Sequence, residues 1–351
     1  MRRRSPPAGV VLVALILAGC APPTGQPASP GVAASPSPAG TTPAARPLLI
    51  DTDVAADDLV AIAFLVASPE VDIRAITVSG TGEAHCGPGV DVVLRLLERL
   101  DAPPIPVACG RETPLAGWRA FPDGWRERVD AGAGLELPPS SRQPHQGSAV
   151  DLIARTAAEA DGLRVLTLGP MTNLADAVLA DPALVDRLEA VYAMGGAVRV
   201  PGNVRFGGPP DNQVAEWNVY VDPTAAQAVL DSGVPVRLVS LDGTNQVPVT
   251  PVFAERVRRE ASGEGARVLA DLFAANPFMV DGTYFLWDPL AAALAAGHPL
   301  GSFTPVRVDV EEADGPEVGF TRPIEGTPNA EYLTSPDAAA AEATLLRVLN
   351  R

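Results

Sequence analysis

Asp51, Asp53, Asp57 and Asp58 put four carboxylates within eight residues, in a chain with no lysine and with no arginine between Arg46 and Arg74. Like charges this close raise one another's pKa unless something positive neutralises them. A hard cation with oxygen ligands is the natural partner, and calcium tolerates the irregular geometry of a loop. The cluster follows the apolar run Leu48-Leu49-Ile50 and precedes an apolar stretch that starts at Leu59, which sets it in a strand-to-helix turn. Asp57 and Asp58 also suit a helix N-terminus, whose partial positive charge favours carboxylates.

The elements that must position these acids follow from the alternation of β-branched runs with amphipathic stretches. Strands are expected at Leu48–Ile50, Ile73–Val78, Ile105–Ala108, Leu163–Leu168, Ala190–Met194 and Val236–Val239. Helices are expected between them at Leu59–Ala67, Val90–Leu100, Ala149–Ala160, Asn173–Ala180 and Thr224–Asp231. This order predicts an α/β fold with a mainly parallel open sheet flanked by helices. Ligands of such sheets bind beyond the carboxyl ends of the strands. Polar clusters lie there after several strands: Asp51 to Asp58, Gly80 to His85, Gly169 to Asn173, and Gly195 onward. The stretch from Cys109 to Ser148, rich in Pro, Gly, Trp and Arg, has the length of a functional cover over such a site. Gly202 to Val214 is a second interruption that can border it.

The N-terminus reads differently. Arg2, Arg3 and Arg4 precede an apolar run from Val10 to Ala18, the size of a signal-peptide core and too short to span a bilayer as a mature helix. Leu17-Ala18-Gly19-Cys20 resembles a bacterial lipoprotein signal, in which Cys20 becomes the lipid-bearing first residue. Residues 21 to 46 are almost wholly Pro, Ala, Ser, Gly and Thr and form a disordered tether. The expected organisation is a leader over 1–19, a lipidated tether over 20–46 and one catalytic domain over 47–351, anchored on the outer side of the cytoplasmic membrane.

Cys86 and Cys109 are the remaining thiols, and one disulfide between them is left open by the sequence. Three histidines and no CxxC pair build no soft-metal site. A net charge of −16 excludes nucleic acid as a partner, since phosphate binding relies on basic surface. Oligomeric state is left open, a homo-oligomer included.

Taken together, the motifs resemble the inosine/uridine-preferring nucleoside hydrolases. Asp51-Thr52-Asp53 with Asp57-Asp58 looks like that family's signature loop. Further matches follow in the family's order: Gly169-Pro170-Met171-Thr172-Asn173-Leu174, Met194-Gly195-Gly196, Gly202-Asn203-Val204, Ala215-Glu216-Trp217-Asn218 with Asp222-Pro223, and Trp287-Asp288. The likeness spans Leu48 to about Ala296 and implies a Rossmann-like fold and an N-glycosidase that splits a ribonucleoside into base and ribose.

The resemblance implies roles residue by residue. Calcium is held by carboxylates matching Asp53, Asp58 and Asp288 and by a main-chain carbonyl placed at Leu168. Asp57 matches the general base, which takes a proton from the water attacking the anomeric carbon. Asn203, Glu216 and Asn218 match ribose-binding positions, and Met194 lies in a substrate-binding motif. Trp287 stands where some members carry histidine and purine-preferring members carry tryptophan, so a purine nucleoside is modestly favoured. The chain departs from the family at Val54-Ala55, where Pro-Gly is usual, at Thr81, which replaces an asparagine, and at Asp91, near another habitual asparagine. His85 offers an acid near neutral pH on the same rim. Two alternatives remain: a lipoprotein that binds nucleosides or ribosyl ligands without turnover, and a hydrolase of another N-ribosylated molecule. Asp57 favours catalysis, because binding alone needs no additional base.

Overall fold

The computed structural model describes residues 45–351. The leader, Cys20 and the tether up to residue 44 lie outside them. Arg46, expected at the end of the tether, instead opens the first strand.

The strands are β1 (Arg46–Thr52), β2 (Val71–Val78), β3 (Val107–Cys109), β4 (Leu163–Thr167), β5 (Leu188–Met194), β6 (Val236–Val239), β7 (Gly301–Val310), β8 (Thr321–Ile324) and β9 (Ala330–Pro336). They form one sheet in the order β3-β2-β1-β4-β5-β6-β9-β7-β8. Neighbours from β3 through to β9 pair in parallel, while β7 runs antiparallel to both β9 and β8. The expected mainly parallel sheet is therefore present, and its six expected strands all form.

The helices are α1 (Ala56–Val66), α2 (Cys86–Arg99), α3 (Asp123–Asp130), α4 (Ala149–Glu159), α5 (Thr172–Ala180), α6 (Trp217–Val221), α7 (Pro223–Asp231), α8 (Leu241–Thr244), α9 (Pro251–Glu260), α10 (Glu264–Ala275), α11 (Trp287–Ala295) and α12 (Ala338–Leu349). Side chains alternate across the sheet, as the two-residue period of a strand requires. Leu48 and Ile50 join a core with α1, α2, α10, α11 and α12, while Leu49 joins a second core with α4, α5 and α7. Both faces are covered, which is why the central strands read as continuous apolar runs. Among the described residues, no helix is long and apolar enough to cross a membrane.

Two helices begin earlier than their apolar patterns predict. Helix α1 starts at Ala56, so Asp57 and Asp58 stand in its first turn. Helix α2 starts at Cys86, ahead of Gly87-Pro88-Gly89. The first turn of a helix has free N–H groups, so it accepts acids and a proline that a helix interior would not.

Cys86 is bonded to Cys109, with Cα atoms 5.5 Å apart and a sequence separation of 23. The bond ties the start of α2 to the end of β3. A Cys86→Ser/Cys109→Ser double variant is expected to lose about 3 kcal/mol of unfolding free energy, from the loop entropy restored to its unfolded state. Urea titration of parent and variant measures it; an unchanged midpoint would deny the bond a structural role.

Candidate active site

From β1 the chain steps outward through β2 and β3, then crosses back to β4 on the other side of β1. At such a switch point the connections diverge and open a crevice beyond the strand ends. Asp51 lies opposite Thr167 there, at the ends of the two strands. Asp53 follows at the mouth of the crevice, closely framed by two glycines. A Cβ on Gly82 would stand 2.1 Å from the Asp53 Cβ, and one on Gly169 would stand 2.7 Å from it. Only glycine allows backbone to approach this closely.

Helix α1 packs against α11, and both are apolar nearly all round. The alanines of α11 leave little between the two backbones, so their N-termini meet. Asp57 and Asp58 arrive from α1 and Asp288 from α11, with one carboxylate oxygen of each within 4.8 Å of the others. All three are buried, Asp58 completely. Thr52 Oγ1 donates to Asp58 Oδ1, and the backbone N–H groups of Asp53 and Val54 donate to the same oxygen at 3.2 and 3.3 Å. Asp58 Oδ2 is buried without a hydrogen-bond partner among the described residues. An orphaned anionic oxygen facing two further carboxylates is what a cation with oxygen ligands would complete.

Two of the expected ligands, Asp58 and Asp288, meet in this group together with Asp57. Asp53 adjoins the cluster, where the charge of Asp58 acts on it and its own acts on Asp288, and its Oδ2 accepts the backbone N–H of Glu83 at 3.0 Å. The tightest triad is Asp57, Asp58 and Asp288. Leu168 lies at the end of β4, where its carbonyl accepts from Asn218 Nδ2 at 2.7 Å and keeps a second lone pair.

Electrostatics of the group run one way. Burial, reinforced by Asp58, lifts Asp57 to about 7. Burial raises Asp53 and Asp288 well above the carboxylate range, and their acidic neighbours add to it. Asp58 is raised by burial as well. Burial takes Asp51 to about 7 despite hydrogen bonds from Thr77 and Asn173. Burial and the charges of Asp57 and Asp58 take Glu83 to about 8. Among the described residues, the strongest influences on these six groups include no arginine or histidine.

Asn203, Glu216 and Asn218 gather around the start of α6. Glu216 caps that helix, accepting from the backbone of Asn218, Val219 and Gly196. Asn203 Oδ1 accepts from Trp217 N at 3.0 Å. Asn218 Nδ2 reaches Leu168 O and also Met194 O at 3.1 Å, which joins β4, β5 and α6 through one amide. His85 stands at the N-cap of α2, where its Nδ1 lies 2.7 Å from Asp130 Oδ2. Its partner is thus Asp130 rather than an aspartate of the cluster. Trp287 begins α11 beside Tyr284, with ring centroids 4.6 Å apart.

Two residues outside the expected site belong to this neighbourhood. Tyr284 donates its hydroxyl to Asp57 Oδ1 at 2.7 Å, and burial together with Asp57 raises its own pKa. The aromatic run Tyr284-Phe285-Leu286-Trp287 just before Asp288 was the available signal. Glu83 is the second, visible only as part of the polar rim after β2.

The stretch from Cys109 to Ser148 braces the site from outside. Arg126 of α3 is buried and donates to the carbonyls of Gly80 and Ala84, fastening the rim that carries Glu83. Arg128 donates to Asn276 Oδ1 and lies over the Phe278 ring at 5.3 Å, reaching the segment that leads to Tyr284. Phe121 stacks on Trp217 at 4.9 Å, next to Glu216. One segment therefore touches three of the loops that converge on the acids.

Known proteins resemble this chain in sequence and in fold. A pyrimidine-specific ribonucleoside hydrolase of Salmonella paratyphi B is 36% identical over 218 residues, covering 61% of this chain and 66% of the relative. Its counterpart from Salmonella typhi matches to the same extent. The match thus spans just under two thirds of these relatives' length. Among solved structures, a plant nucleoside hydrolase is similar with a TM-score of 0.75 and 28% identity, over 87% of this chain and 99% of its own. A purine-preferring ribonucleoside hydrolase from Gardnerella vaginalis gives 0.75 and 27%, over 87% and 98%. Residues 48–343 match the family model of the inosine-uridine preferring nucleoside hydrolases, and the chain belongs to that family.

Proposed function

We propose that this chain hydrolyses the N-glycosidic bond of a ribonucleoside at a calcium site held by Asp53, Asp58, Asp288 and the Leu168 carbonyl. The observation that carries the reading is the meeting of Asp57, Asp58 and Asp288 at the mouth of the β1/β4 crevice. Bound there, calcium supplies the positive charge that lets the crowded carboxylates ionise together and lowers the pKa of adjacent water.

The chain's own residues do the rest. Asp57 takes the proton of the attacking water, its carboxylate oriented by the Tyr284 hydroxyl at Oδ1. Burial and the charge of Asp58 raise the Asp57 carboxyl, and beside the charge of a cation it returns to the ionised form that accepts this proton near pH 7. As the bond to the base breaks, the sugar gains oxocarbenium character, and the ring of buried carboxylates stabilises that positive charge. Asn218 and Glu216 orient the sugar hydroxyls, held in turn by Leu168, Met194 and Gly196. Tyr284, Trp287 and Phe278 form an aromatic wall for the leaving base.

That wall favours a purine, the larger stacking partner. The pyrimidine-specific relatives favour the opposite preference, so the base class is decided by the panel below. We also assign the chain to the cell envelope, anchored through Cys20; the Cys86–Cys109 bond supports an oxidising compartment.

Purified protein with calcium is expected to release base from inosine, guanosine or adenosine faster than from uridine or cytidine, followed by chromatography of the free base. Asp57→Asn is expected to lower kcat by at least about 100-fold with little change in KM. Ligand-dependent thermal stabilisation with no base released from any nucleoside would leave a binder rather than an enzyme.

The acids also set a pH dependence. A carboxyl group whose folded pKa is raised contributes stability below its unfolded value, about 4, and that stability is lost as pH rises through the folded value. With Asp51 and Asp57 at about 7 and Glu83 at about 8, chelator-treated protein is expected to lose Tm steadily between about pH 5 and about pH 8. Calcium at about 100 times its Kd is expected to restore about 5 °C at the upper end. A Tm flat with pH and indifferent to calcium would remove the metal from the proposal.

Cys20→Ser is expected to move the protein from the membrane fraction to the soluble one and to abolish labelling by radioactive palmitate. Unchanged labelling would place the acyl group elsewhere.

A further inference from the structure

The far end of the sheet carries a second site of opposite character. Arg46, Arg164 and Arg237 stand among the opening residues of β1, β4 and β6, and together line an open cavity of about 400 Å³. At about 3.3 Å per residue, the length of β1 sets the cavity about 20 Å from the acid cluster. In a chain of net charge −16, this wall sets three guanidinium groups against two carboxylates, Glu331 in the wall and Glu189 behind Arg164.

The guanidinium groups are held in place but not used up. Arg164 is buried; it pairs with Glu189 and donates Nη1 to the Ala295 carbonyl at 3.1 Å. Arg237 donates Nη1 to the Tyr192 hydroxyl at 2.6 Å and lies 3.3 Å from Glu331, with the Tyr192 and Phe303 rings against its face. Arg46 makes no ion pair among the described residues, and no acidic residue precedes Asp51 in the sequence to supply one. Its Nη1 rests 2.3 Å from where a Cβ on Gly297 would sit, and Gly297 adopts φ +96, a backbone that glycine alone takes readily. His298 adds an Nε2 buried without a partner among the described residues.

We propose that this cavity binds a phosphate group. Three guanidinium groups less the two carboxylates that pair with them, Glu331 and Glu189, leave a formal charge of +1, carried by Arg46, which matches the single negative charge of a phosphate monoanion or diester. Guanidinium groups donate to phosphate oxygens in pairs, and Arg46 and Arg237 can do so here from two different strands, while Arg164, whose fork holds Glu189, backs the wall between them. A soluble phosphate or the headgroup phosphate of a lipid can supply the group. The second source fits the position of Arg46, where the N-terminal segment with its expected anchor enters the fold.

Two measurements on the full chain separate the sources, each made on the parent, on Arg46→Glu and on Arg237→Gln. In the first, about 10 mM inorganic phosphate is compared with chloride at equal ionic strength, and is expected to raise the parent's Tm by at least about 3 °C and the variants' by less than about 1 °C. In the second, vesicles with about 30% phosphatidylglycerol are compared with pure phosphatidylcholine, and parent uptake is expected to exceed that of the variants several-fold. A positive vesicle result assigns the site to a lipid headgroup; a positive phosphate result alone assigns it to a soluble phosphate. If neither measurement separates the parent from both variants, the cavity is not a phosphate site. Base release from nucleosides is expected to be unchanged in both variants, so the outcome is independent of the catalytic proposal.

Discussion

Helices α1 and α11 bury their apolar faces against each other only by bringing their N-termini, and with them three carboxylates, to one point. Leu59, Ile62, Phe64 and Leu65 of α1 are fully buried, each contributing about 1.5–3 kcal/mol of burial. That apolar packing holds together acids that would otherwise separate. The helix dipoles offset part of the repulsion, and the N–H groups of Asp53 and Val54 offset another part at Asp58. The remainder is left for a cation, and the raised pKa values of the whole group express that deficit.

Much of this was legible from residue order. The βα alternation identified the parallel half of the sheet because its strands are buried on both faces and read as uninterrupted apolar runs. The acid cluster was legible because its charge had no basic residue nearby to balance it. Asp288 was different: it lies 230 residues beyond Asp58, and nothing local connects them. Only the longer motif pattern linked the two, and the packing of α11 on α1 supplies the physical reason.

What escaped the sequence reading escaped for identifiable causes. Strands β7 and β8 lie at the sheet's edge with one face partly in solvent, and each carries a proline, at 305 and 323, that masks an extended pattern. The role of Tyr284 depends on a turn outside any regular element. His85 reads from sequence as an acid on the rim; the structure gives it a carboxylate partner in Asp130 instead, because α3 of the covering segment packs over the start of α2. That segment has little regular structure of its own, yet its arginines hold the carbonyls that shape the rim.

Val54 carries a consequence for how such a loop can change over generations. This fully buried, β-branched residue adopts φ +69, a backbone region that costs such a side chain about 1–3 kcal/mol. Burying its isopropyl group returns about 1.5–3 kcal/mol. The two nearly cancel, so a glycine here would trade a relieved backbone for lost burial at little net cost, whereas proline, with φ fixed at about −65°, cannot enter without reshaping the turn. The aspartates on either side are each tied to a fixed geometry, so whatever stands at position 54 must deliver the chain from Asp53 to the first turn of α1 along the same path.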